Sequence, residues 1–167
     1  MSEDIRKMID KVKNFKQFVN ENLELTKFIN LSENDIETII SKHTEFDEYQ
    51  FDNSKNALLN LQKVLKTNTN LKLYRVLSVA NINDINTNEL GNHYTLSLDN
   101  LDDVTLFDIG INKNKKLYSV EIISPINNVD FEETIDANIN YPFEQEIFLK
   151  SNDNIKIINI SPFKKNV

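Results

Sequence analysis

Cysteine and tryptophan are missing from this chain of 167 residues, and glycine occurs only twice. Without cysteine there is neither a disulfide nor a thiolate metal site. Two glycines cannot furnish a G-x-G-x-x-G turn or a Walker loop, so phosphate cradling by a glycine-rich loop is excluded. The two histidines, His43 and His93, are far apart and make no metal cluster; His43 falls in a helical stretch and reads as a surface residue. Asp99, Asp102 and Asp103 lack the glycine and closing glutamate of a calcium loop, so capping of a helix is their better reading. No apolar run approaches the ~20 residues that span a bilayer. The charged start Met1-Ser2-Glu3-Asp4-Ile5-Arg6 is unlike a signal peptide, which gives a cytoplasmic expectation. Excess positive charge is also absent. At a formal net charge of -7 the chain is repelled by a phosphate backbone, so nucleic-acid binding is not expected. A small anion is a different matter, because one arginine with backbone N–H donors holds a phosphate locally.

What is present suffices for one domain with a real core, 40% of the residues being hydrophobic. The expectation is a single domain over 1–167, with a helical segment over 1–67 and a β-rich core over 71–161. Ile5, Met8, Ile9, Val12, Phe15, Val19 and Leu23 recur at helical spacing. Ser32-Glu33-Asn34-Asp35 reads as a capping box before Ile36, Ile39 and Ile40. A further helix is expected from about Asn53 to Lys66. From Leu71 the period shifts towards two. Strands are expected over Leu71–Ser78, Tyr94–Leu98, Lys115–Ile123, Glu146–Lys150 and Ile155–Ile160. Asn100–Asp108 reads as a short helix, and Asn127–Phe143 as an aperiodic functional loop. Helices followed by strands argue for an α+β fold.

Three places carry candidate chemistry. Arg75 shares a strand face with Leu71, Leu73 and Leu77, which points it inward. A buried guanidinium stays charged and needs a partner, either a core carboxylate or a bound anion. His93-Tyr94-Thr95-Leu96-Ser97 follows Gly91. It is either a polar strand start or a set of hydroxyls that hold a carboxylate or a ribose. Glu144 and Glu146, if extended, lie on one face with Phe148. They form either a solvated strand edge or a carboxylate pair suited to a cationic transition state.

Taken in order, these pieces resemble the mono-ADP-ribosyltransferase family of the arginine/serine/glutamate type. Leu73-Tyr74-Arg75-Val76 is similar to its first motif and Tyr94-Thr95-Leu96-Ser97 to its hydroxyl motif. Glu144-Gln145-Glu146-Ile147-Phe148-Leu149 is similar to its Glu-x-Glu motif. Leu96 stands where that family has a threonine. The resemblance covers about Leu71–Ile160, and small phage-encoded members with a leading helical segment are the nearest type. It implies an α+β fold in which N-terminal helices pack on a mostly antiparallel split β-sheet. It also implies NAD as substrate and a protein acceptor, arginine by the Glu-x-Glu form. Glu146 is then the catalytic carboxylate, oriented by Ser97, and Glu144 engages the acceptor. Arg75 holds the NAD phosphates or ribose, and His93, Tyr94 and Thr95 complete the cofactor contacts. Glu133-Thr134-Ile135-Asp136-Ala137-Asn138 through Tyr141-Pro142 takes the place of the acceptor-presenting loop. The alternative is a catalytically inactive relative, or another acidic α+β module, that binds a protein partner.

Overall fold

The computed structural model describes Glu3, Lys7 and residues 25–43, 45–100 and 114–164. The apolar stripe expected over Ile5–Leu23, and the expected helix past Asn100, lie outside the described residues. The chain is α+β. Contacts cluster it into two compact units, one of Met1–Thr67 with Phe131–Phe143 and one of Asn68–Asp130 with Glu144–Val167.

The first unit is helical, and its elements include α1 (Leu25–Phe28), α2 (Glu33–His43), α3 (Glu48–Thr67) and α4 (Phe131–Asn140). The expected capping box opens α2. Ser32 Oγ accepts from the Asp35 N–H at 3.2 Å, and the Asp35 carboxylate accepts from the Ser32 N–H at 3.0 Å. Helix α3 starts earlier than its apolar face suggests, because Asp47 accepts from the Gln50 N–H at 2.8 Å and caps it. Phe28, Ile36, Ile40, Leu58, Leu61, Ile135 and Ile139 are fully buried.

Two expectations fail in this unit. The segment read as an aperiodic loop holds α4, whose Thr134, Ile135, Ala137, Asn138 and Ile139 are buried. Glu132 and Glu133 lie in its first turn, where the helix dipole favours negative charge. The stretch set in place of an acceptor-presenting loop is therefore largely helix. His43 is not a surface residue either: it is 5% exposed, and its Nε2 lies 2.6 Å from an Asp136 carboxylate oxygen.

The second unit holds an antiparallel five-stranded sheet: β1 (Asn70–Val79), β2 (His93–Thr95), β3 (Lys116–Pro125), β4 (Glu146–Phe148) and β5 (Lys156–Pro162). The strand order is β4-β2-β1-β3-β5. Alternation along β1 and its register with β3 put Leu71, Leu73, Val120 and Ile122 on one face, and all four are buried. Strand β2 ends sooner than expected. Leu96 and Ser97 leave the ladder, and Leu98–Asn100 form a 3₁₀ turn. Local side-chain bonds from Thr95 and Ser97 offer the backbone an alternative to pairing there.

Candidate functional site

The three candidate segments meet on the adjacent strands β4, β2 and β1. The register pairs Tyr74 with Thr95 and Thr95 with Glu146. Cross-strand partners share a face, so Tyr74, Thr95 and Glu146 lie on one side of the sheet. His93 and its partner Phe148, each two residues along, lie on that side too.

Thr95 is the hinge of the arrangement. Its side chain is 3% exposed, and its Oγ1 lies 2.8 Å from the Glu144 carbonyl and 3.0 Å from the Ser97 carbonyl. One hydroxyl proton serves these two acceptors. The Ser97 N–H, at 3.4 Å, donates back to the same oxygen. The Leu96 N–H adds a bond to the Gln145 carbonyl at 3.2 Å. The end of β2 is thus tied to the entry of β4.

The two glutamates do not share a face. Glu144 lies in a turn before β4, and Gln145 has φ 48. This left-handed conformation is uncommon for a residue with a Cβ and breaks the two-residue alternation. Such strain persists only where the surroundings impose it, and here the bonds from Thr95 and Leu96 grip both flanks. The Glu146 carboxylate faces His93, with Oε1 3.6 Å from Nδ1. The His93 ring stacks on Phe148, with centroids 5.3 Å apart at 28°.

Arg75 sits differently. As the neighbour of Tyr74 it leaves β1 on the face opposite Glu146, the side of Leu73 and Val120. Its Nη1 donates to the His93 carbonyl at 2.8 Å, and its guanidinium carbon stands 6.0 Å from the centre of the Tyr94 ring. Gly91, at φ 72, leaves room for it: a Cβ there would stand 2.9 Å from Nη1. Burial lowers the Arg75 pKa, an effect that nearby Tyr94 and Glu146 partly offset. Burial pushes the Tyr94 phenol up to about 12, against the pull of Arg75. The Tyr94 hydroxyl lies 3.2 Å from the Gly91 carbonyl and 3.3 Å from Asn152 Oδ1.

The structure therefore gathers Glu146, His93 and Thr95 on one face and joins Glu144 to them through its backbone. Arg75 is engaged with the backbone of the strand that carries His93. Ser97 Oγ accepts from the Asp99 N–H at 3.2 Å, which closes a local turn. Tyr94 points with Arg75 to the other face. The backbone-locking role of Thr95 was missed by reading its hydroxyl as a ligand contact, and residue type alone does not separate the two roles. Among the described residues no group of three or more metal-ligating side chains exists. No helix among them is long and apolar enough to cross a membrane. Comparison of the chain with protein-family models, with curated proteins and with solved structures finds no match.

Proposed function

We propose that this chain is an NAD-dependent mono-ADP-ribosyltransferase that modifies a protein acceptor at arginine. The observation that carries the reading is the union of two motifs at Thr95. A hydroxyl of the second motif is register-paired with Glu146 of the third and lies within hydrogen-bond distance of the Glu144 carbonyl. The order of the pieces along the chain supports it as well, with Arg75 on β1, the hydroxyl segment at β2 and the Glu-x-Glu at the head of β4.

In this reaction the bond between C1′ of the ribose and the nicotinamide nitrogen breaks, and its electron pair leaves with nicotinamide. An acceptor guanidinium nitrogen then bonds C1′ and gives up a proton. Glu146, partly exposed beside His93, stabilises the oxocarbenium charge that builds at C1′. Glu144, set off the strand by the Gln145 turn, is free of that task and engages the acceptor, taking up its proton. Glu146, with His93 at its side, suits the ribose end of NAD. The diphosphate end is less well served, since Arg75 leaves the opposite face and bonds the His93 carbonyl. Arg75 is thus assigned to holding β2 in place.

That same placement of Arg75 favours a second reading, an inactive relative of the family that keeps the fold and binds a protein partner. Labelled NAD separates the two. Transfer of label to protein by the wild type, lost in Glu146→Gln, supports the transferase. An absence of both transfer and an NAD-induced thermal shift supports the binding module.

A further inference from the structure

We propose that His93 is a positioning residue for Glu146, doing the work that the resemblance assigns to Ser97; this deepens the transferase reading and rests on it. Two contacts hold the imidazole and a third holds the backbone that carries it. The ring stacks on Phe148, its own register partner on β4. Its backbone carbonyl is held by the Arg75 guanidinium at 2.8 Å. Its Nδ1 stands 3.6 Å from Glu146 Oε1, close enough for the carboxylate to favour the Nδ1–H form of the ring before any substrate binds.

Ser97, by contrast, lies past the end of β2 and uses its oxygen on the Asp99 N–H. A carboxylate that stabilises a cation must keep a fixed direction, and misplacement by about 1 Å costs roughly a hundredfold in rate. With its ring clamped on Phe148, His93 presents an Nδ1–H donor to Glu146. Arg75 enters the same chain one step back, through the His93 carbonyl. This gives the order of the three motifs a physical link: β1 steadies β2, and β2 aims the acid on β4.

Two measurements test the assignment. Ring-nitrogen NMR of the wild type resolves two histidines, and His93→Asn identifies the signals of His93. The expected result is a His93 ring protonated at Nδ1 in the wild type that reverts towards the Nε2–H form in Glu146→Ala. The same tautomer in both proteins overturns the proposal. The second measurement is NAD turnover. His93→Ala is expected to lower kcat roughly tenfold to a hundredfold with KM little changed, in line with lost orientation. His93→Asn, whose amide nitrogen sits near the place of Nδ1, is expected to recover much of the loss, while His93→Gln is not. Equal loss in all three variants, or a change confined to KM, overturns the proposal. The NMR arm uses no NAD, so a wild type that fails to turn NAD over sinks the transferase reading while the tautomer result still decides the contact.

Discussion

Thr95 Oγ1 lies 2.8 Å from the Glu144 carbonyl oxygen, joining residues 49 positions apart in the chain. Thr95 is buried, the bond as a whole is part-buried, and it grips a turn whose next residue, Gln145, is held at a positive φ. Replacing Thr95 with Val keeps the shape but strands the carbonyls of Glu144 and Ser97. The expected cost is about 1–3 kcal/mol, the desolvation penalty of unmet polar groups. Chemical denaturation of Thr95→Val and Thr95→Ser checks it, with Ser expected to retain most of the stability.

Gly91→Ala is expected to destabilise by about 1–3 kcal/mol, since alanine is strained at φ 72 and its Cβ meets Arg75 Nη1 at 2.9 Å. Adding Arg75→Ala removes the steric part and leaves the backbone part. A double-mutant cycle by thermal or urea unfolding should therefore show less loss than the sum of the two single changes.

Alkaline stability reports on Tyr94. Burial raises its folded-state pKa from 10.0 to about 12, so the folded chain holds this proton longer than the unfolded chain. The contribution is intact below about pH 10.0 and is lost as pH rises towards about 12. Unfolding followed at a series of alkaline pH values should show that decline. Tyr94→Phe should flatten it, at the cost of the hydroxyl contacts with Gly91 and Asn152.

Much of this fold is legible in the residues because local rules decide it. Ser32 and Asp35 announce the start of α2, and the alternating leucines of β1 announce a strand with one buried face. Helix α4 is harder to see. Thr134, Asp136, Asn138 and Asn140 are weak helix formers, and they mask the spacing of Phe131, Ile135 and Ile139. The useful signal there was Glu132-Glu133 at its head. His43 was misplaced for a different reason, since its partner Asp136 is 93 residues away. Long-range pairing leaves no trace in a local window. At the site, the expectation that Glu144 and Glu146 share a face failed because Glu144 lies in the turn before β4 and Gln145 has a positive φ. A non-glycine residue at positive φ is imposed by its neighbours, and no residue type at that position declares it.

Separating the two glutamates in the structure carries a separate expectation. Glu144→Gln should stop transfer to a protein acceptor while NAD cleavage by water continues, because Glu144 sits on the turn and Glu146 on the strand. Parallel measurement of released nicotinamide and protein-bound label checks this. Equal loss of both would place the two carboxylates in one role.

The most direct test of the central claim is incorporation of label from NAD into protein by the wild type and by Glu146→Gln, with both folds verified by circular dichroism. The account expects clear incorporation by the wild type and a loss of about 10²–10³-fold in the variant, the scale seen when one electrostatic group at a reacting centre is removed. Equal incorporation by the two proteins, or none by the wild type together with no thermal shift on adding NAD, would contradict it.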